Sequence, residues 1–402
     1  MARVTKSTVW QQEREQEALS AFEQALVGLD DPRRRQGLRY PLRSVVVIAL
    51  MAAICGADDA EAMQAWGRAN LEWLRGFLDL PHGTPSQDVF LAVFAAIDPQ
   101  QFQQVFITWV AWLRAKLSQS QDGAHLALDG KTSRRSFDRA QGRPALHTVS
   151  AWLCEEGLVL GQCRVDQKSN EIRAIPELLA LLELKGCTVT IDAMGCQKEI
   201  ASTIISRGGH YLLAVKDNQP ALSEEVQAVF TDAVDPRQRA LDEDPALKLE
   251  TVTDVTKEHD RIEERSVSVC RDLSWVATAK RWRGLAFIAM VVSTRTELST
   301  GKTSTATRYF IGSDKDAGVE RIATLIRRHW SIENELHWVL DMAFNDDYAR
   351  FRSGHCAQNM AALRHFALNL LKQDKSCKLG IANKRKRAGW DRGYLMQLVT
   401  AG

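Results

Sequence analysis

Residues 187–215 read CTVTIDAMGCQKEIASTIISRGGHYLLAV. An apolar, β-like run ends at Asp192, an apolar-periodic helical segment follows, and a second run, HYLLAV (210–215), closes the stretch. Strand, helix, strand in so short a span is the repeating unit of an α/β sheet. Upstream, ALHTVSAWL (145–153) and GLVLGQCRV (157–165) flank a Glu-Glu-Gly turn, which predicts a hairpin. HLALDGK (125–131) is a further strand-like run, and IPELLALLEL (175–184) a helix. The order of three strands, helix, strand, helix, strand predicts an α/β fold with a mixed sheet.

On the N-terminal side the texture is helical. AFEQALVGL, RSVVVIALMAAICGA, DAEAMQAWGRANLEWLRGFLDL and QQFQQVFITWVAWLRAKL are apolar-periodic and separated by short turns, so residues 1–118 form a helical domain. Residues 119–216 are the first part of the α/β core. Residues 217–264 hold 14 acidic and 5 basic residues and break the pattern, and 217–310 reads as a mostly β insertion. Residues 311–375 are the helical end of the core. A basic tail, 376–402, follows; from Lys372 on there are eight Lys/Arg and two Asp, with KRKR at 384–387 expected to be a flexible DNA-touching or merely solvating tail.

Composition narrows the function classes. The 402 residues are 45% hydrophobic and 25% charged, which excludes disordered and collagen-like chains. A formal charge of +2 gives no argument for nucleic acid from bulk charge. Eight scattered cysteines without a Cys-x-x-Cys pair fit a reducing cytoplasm and no zinc site. His329 and His337 are eight apart and His355 and His365 ten apart, so neither pair has the spacing of a zinc helix. The polar first 30 residues carry no secretory signal, and SVVVIALMAAICGA (44–57) is too short to span a bilayer and predicts a buried helix. Trp66, Trp73, Trp109 and Trp112 fall on helical patterns and are expected in the core. The absence of glycine-rich dinucleotide and P-loop fingerprints argues against a small-molecule enzyme.

Three carboxylates carry the chemistry. Asp129 and Asp192 each end an apolar run, LALD and VTID, which places them at the carboxyl edge of a sheet, where open α/β sheets put ligands. Strand-end aspartates also serve as turn caps, the commoner role for either alone. Glu333 sits on a helix face with His329, Trp330, Leu336, His337 and Leu340, where an acid is either paired with an arginine or holding a cation. Three converging acids repel unless a cation lies among them, and hard oxygen donors favour Mg²⁺, with Mn²⁺ as substitute. Two such ions activate an attacking oxygen and stabilise a leaving oxygen in phosphodiester chemistry.

At these residues the chain resembles bacterial insertion-sequence transposases with an Asp-Asp-Glu active site, in the branch of the H-repeat-associated proteins. DPRRRQGLRYPL, LPHGTPSQDVF, ALDGKT, KSNEI, VTIDAMGCQKEIA, YLLAVKDNQP, RIEER and HWSIENELHW carry the resemblance over roughly residues 20–375. It implies an RNase H-like core behind a helical associated domain, with a β insertion before the Glu-bearing helix. By motif match Asp129, Asp192 and Glu333 are the metal-binding and catalytic acids. The wider superfamily's Tyr-x2-Arg-x3-Glu-x6-Lys signature meets Ile326, His329 and Leu340 here, so only Glu333 of it survives.

The resemblance implies metal-dependent cleavage at element ends followed by attack of a 3′-OH on target DNA. The implied partner is double-stranded DNA, as terminal inverted repeats and target, bound by a synaptic homodimer in the bacterial cytoplasm on the nucleoid, with no membrane association. Another RNase H-like DNA nuclease and a catalytically silent DNA-binding relic are the alternatives. Arg33, Arg34, Arg35 and Arg39 are candidate phosphate contacts, as are Lys131 and Lys216 beside the strand ends. Arg327, Arg328, His329 and His337 are candidates to replace the missing signature residues. Lys168, Asn170 and Glu171 of KSNEI receive no sharper role.

Overall fold

A computed structural model of the chain describes residues 22–400, apart from residues 23, 34–37, 117–122, 140, 166–170, 235–247 and 259. In chain order, helices α1 (Leu42–Ile54), α2 (Ala60–Ala69), α3 (Gln87–Ala96) and α4 (Pro99–Lys116) precede strands β1 (His125–Ser133), β2 (Leu146–Leu153) and β3 (Leu158–Val165). Helix α5 (Glu171–Ala180), strand β4 (Thr188–Ile191), helix α6 (Lys198–Ser206), strand β5 (His210–Val215) and helix α7 (Pro220–Val234) follow. Strands β6 (Leu249–Glu258), β7 (Arg261–Cys270), β8 (Phe287–Glu297) and β9 (Thr303–Gly312) lead to helix α8 (Val319–His329) and a π-helical turn (Ile332–His337). Helices α9 (Trp338–Phe344), α10 (Cys356–Gln373), α11 (Ile381–Trp390) and α12 (Arg392–Thr400) complete the chain. The nine strands belong to a mixed sheet, the α/β class expected.

The chain divides into two compact units: Met1–Ser120 with Gly130–Lys168 and Glu333–Gly402, and Gln121–Asp129 with Ser169–Ile332. The second is the sheet unit. The first four β1 residues run parallel to β4, with Leu128 opposite Ile191, and β4 runs parallel to β5. Antiparallel β9, β8, β7 and β6 continue from β5, giving the order β1-β4-β5-β9-β8-β7-β6. The expected β insertion therefore opens with helix α7 and makes no sheet of its own. Its strands extend the sheet at β5. Val267, Val269, Phe287, Ala289 and Val291 form one buried face against Val319, Ile322, Leu325 and Ile326 of α8. Each valine, leucine, isoleucine or phenylalanine among them contributes about 1.5–3 kcal/mol when fully buried.

The first is the helical unit. Every residue of α1 from Ser44 to Ile54 is buried, as its apolar run predicts. Helix α10 is buried from Asn359 through Leu371 and packs against α1, α3, α4 and β3. Phe366 stands among Phe22, Phe102, Phe106 and Trp109, with ring centroids 4.7–5.9 Å away. Asn369 satisfies its buried amide by accepting from Val159 N and donating to Val159 O, both at 2.9 Å. Trp109 lies in this core, while Trp66, Trp73 and Trp112 are half-buried.

The basic tail is not a loose one. Residues 381–400 form α11 and α12, and the first two residues of KRKR point inward. Lys384 donates to the carbonyls of Leu371 (2.9 Å) and Asp374 (2.5 Å). Arg385 donates to the Ala53 carbonyl (2.7 Å) and the Asp58 carboxylate (2.5 Å) and lies 4.0 Å over the Phe344 ring. Lys386 is exposed, and Arg387 covers Tyr394. Among the described residues, no helix is long and apolar enough to cross a membrane.

Candidate active site

Strand β1 runs on to Ser133, so Asp129 lies within the strand; what ends at Leu128 is the parallel pairing with β4. With Leu128 opposite Ile191, Asp129 and Asp192 are the next residues on neighbouring strands, about 5 Å apart in strand spacing. The sheet unit thus brings the two aspartates side by side, Asp129 half-buried and Asp192 exposed.

Asp192 also begins the 3-10 turn Ala193–Gly195, accepting from Met194 N at 3.0 Å. A side-chain carbon on Gly195 would collide with Ile191, so this turn requires glycine. The turn after β5 braces it: Asn218 Nδ2 donates to the Ala193 carbonyl (2.6 Å) and Gln219 Nε2 to the Cys196 carbonyl (2.9 Å). Asp192 keeps solvent access, yet the surrounding protein strips enough water to raise its pKa, and the charge of Glu171 adds to the rise. Backbone N–H groups of Gly195 and Met194, and the Lys216 charge, pull the other way. Glu171, which the sequence left without a role, is thus a buried acid facing Asp192.

Glu333 belongs to the helical unit and lies in the π-helical turn, a local widening common at functional sites. His337 Nδ1 donates to its Oε2 at 2.8 Å, and this bond, with the charges of His337 and Lys131, lowers the Glu333 pKa. The carboxylate is exposed while the imidazole beneath it is buried. A hydrogen bond to an acid held ionised is the orienting contact that a cation ligand requires. Lys131, two residues after Asp129, reaches Asp341 at 2.6 Å, with Asp347 and Asp346 at 3.8 and 4.0 Å. In the sheet unit, His329 Nδ1 bonds Thr190 Oγ1 (2.9 Å), and His125 Nε2 bonds the same oxygen (2.8 Å). The helix leading toward Glu333 is therefore tied to the strand that ends at Asp192.

The candidate DNA contacts fall into different settings. Arg33 is engaged by Asp31 (2.6 Å) and the Tyr40 carbonyl, an intramolecular role, while Arg39 is exposed. Arg34 and Arg35 lie outside the described residues, as do Lys168 and Asn170. Lys216 is exposed beside Asp192. Arg327 pairs with Asp254 at 2.6 Å and stays half-exposed, and Arg328 is half-buried. His329 is drawn to Thr190 and His337 to Glu333, and burial pushes the His329 pKa down to about 4. Both imidazoles have internal partners, and Lys131 has three acids around it.

Residues 23–110 match the family described as DDE_Tnp_1-associated, and residues 120–370 match Transposase DDE domain. Among relatives, "H repeat-associated putative transposase YhhI" of Escherichia coli (strain K12) is 36% identical over 375 residues, covering 92% of this chain and 95% of that protein. "Putative transposase YncI" of Escherichia coli O157:H7 is 36% identical over 375 residues, covering 93% of each. A cryo-EM structure of a piggyBac transposase synaptic complex with hairpin DNA aligns over 96% of this chain and 81% of that one, with a TM-score of 0.42 and 10% identity. The family matches together span most of the chain, and the chain belongs to the DDE transposase family.

Proposed function

We propose that this transposase cleaves DNA at the ends of an insertion element and joins the freed ends to target DNA, using Asp129, Asp192 and Glu333 as one metal-binding set. The observation that carries the proposal is the position of Asp129 and Asp192, each the residue that follows a member of the register pair Leu128–Ile191. Within the sheet unit Thr190 fixes His329 at the end of α8 to the strand that precedes Asp192, and within the helical unit Lys131 holds Asp341 of α9.

The donor set suits a hard divalent cation. Two adjacent aspartates with Glu171 close by are an excess of negative charge, and no cysteine joins them. Mg²⁺, with Mn²⁺ able to replace it, would supply Lewis-acid activation of the attacking oxygen and charge relief for the leaving oxygen. Asp129 and Asp192 would hold ions on rigid strands. His337 keeps Glu333 ionised and oriented to complete the set. Lys216, exposed beside Asp192, is placed to attract a phosphate. The DNA would be double-stranded, with two copies of the chain pairing the element ends in the cytoplasm, on the nucleoid.

The test is purified protein with Mg²⁺ and a duplex carrying the repeats that flank the gene, scored for nicking and strand joining. Wild-type protein is expected to nick and join. Asp192→Asn, which keeps size and removes charge, is expected to bind the duplex and do neither. Metal-dependent cleavage retained by Asp192→Asn would refute the assignment. Nicking without joining of a supplied 3′-OH end would favour the nuclease alternative.

A further inference from the structure

We propose that two loops of the helical unit, SRRSFDR (133–139) after β1 and YARFR (348–352) after α9, form a surface that binds the phosphodiester backbone of duplex DNA. The proposal rests on the reading of the chain as a protein acting on DNA, and it adds a surface that the reading does not require.

The loops are joined underneath. Ser133 Oγ donates to Asp346 (2.7 Å), Arg134 Nε pairs with Asp347 (3.3 Å), and Arg143 donates to the Gly354 carbonyl (3.2 Å). Gly354 has φ +51°, and a side-chain carbon there would collide with the Ala95 carbonyl, so the second loop can be pinned only through glycine. Asp138 and Arg143 exchange backbone hydrogen bonds of 3.0 and 2.9 Å that close the first loop.

Above that base the arginines lie on rings. Arg135 is 4.8 Å from the Tyr348 ring centroid, and Arg139 and Arg352 are each 5.2 Å from that of Phe137. Phe351 is turned inward at 5% exposed, so Arg350 and Arg352 project on the alternate side. Of the nearby acids, Asp346 is engaged by Arg364 at 2.9 Å and Asp347 by Lys131 and Arg134, while Asp138 in the groove accepts from Gln141 N at 3.3 Å. Among the described residues, no ion pair joins a carboxylate to Arg135, Arg139, Arg350 or Arg352. An open groove of about 440 Å³ runs between Phe137, Asp138, Arg139 and Arg352.

A guanidinium stacked on an aromatic ring is fixed in position while its edge N–H groups remain free, and those edges match phosphate oxygens. Lone surface arginines lose side-chain entropy on binding; these have already lost it. Contacts of this kind to the backbone position a duplex without reading its sequence.

The test is fluorescence anisotropy of the full chain with two labelled duplexes of equal length, one carrying the flanking repeat and one of random sequence, over about 50–200 mM salt. Arg139→Ala with Arg352→Ala is expected to weaken binding about tenfold and to reduce the slope of log K against log salt by about 2, one for each lost phosphate contact. Phe137→Ala, which leaves every charge in place, is expected to weaken binding by freeing both arginines. Loss on both duplexes identifies a general backbone contact, including target DNA; loss on the repeat duplex alone identifies the element end. A double variant with wild-type affinity and slope on both duplexes overturns the surface while leaving the function reading intact. Wild-type protein that binds neither duplex overturns both.

Discussion

Glu333 and His337 show how a single contact sets the chemistry of a residue. The i, i+4 spacing brings imidazole and carboxylate to 2.8 Å, and the buried ring holds the exposed acid ionised and in one orientation. His337→Ala removes that support without touching the acid. It is expected to raise the Mn²⁺ concentration needed for half-maximal nicking by about 10- to 100-fold, with duplex affinity unchanged, as a metal titration of cleavage would read. An unchanged titration would make His337 a bystander. The acids themselves were legible in sequence because each ends an apolar run or sits in a long motif. Glu171 was not, since its spacing carries no signal and its meaning comes only from facing Asp192. Asn218 and Gln219 were equally silent, because bracing a turn 23 to 25 residues away leaves no local pattern.

At the scale of elements, period and burial agreed wherever an element is apolar on its buried face. Strand β5 and the hairpin β2–β3 follow their runs nearly residue for residue, and α1 is buried all round. Strand β6 escaped because LETVTDVTKE alternates valine and threonine among charges and is largely exposed, so its pairing with β7 outweighs its polarity. The run around Glu333 reads as one helix but is interrupted by a π-helical turn, which hydrophobic period does not resolve. KRKR looked like a solvated tail because charge runs usually are. Here tertiary partners fix two of its four residues. Arg385→Ala would remove one donor from Asp58, which keeps Asn345, and from the Ala53 and Ala343 carbonyls, at a cost of about 3 kcal/mol in urea denaturation. Lys386→Ala, exposed on the same helix, is expected within about 0.5 kcal/mol of wild type. Equal effects of the two substitutions would return the whole run to the surface.

For the whole molecule, bulk numbers were the least informative signal. A formal charge of +2 hides an acidic stretch, an arginine-rich pair of loops and a basic C-terminal region. Buried histidines add a property that composition does not reveal. Burial pushes the pKa of His125 and of His365 down from 6.5 to about 3. Above pH 6.5 both are neutral in the folded and unfolded chain, so stability is level there. As pH falls from 6.5 toward 3 the unfolded chain takes up protons that the folded chain refuses. Each histidine then costs about 1.4 kcal/mol per pH unit, or about 2 kcal/mol by pH 5. The Tm is expected to be flat between pH 7 and 8 and to drop steeply between pH 6.5 and 5; a level Tm over that lower range would show that these rings are protonated in the fold.

If residues from distant parts of the chain share divalent cations, calorimetric titration of Mn²⁺ into DNA-free protein will register it. Wild-type protein should bind Mn²⁺ with a well-defined stoichiometry, and Asp129→Asn, Asp192→Asn and Glu333→Gln should each weaken or abolish that binding while remaining folded. If Glu333→Gln bound Mn²⁺ as the wild type does, the three carboxylates would not form one site, and the account of DNA cleavage built on them would be contradicted.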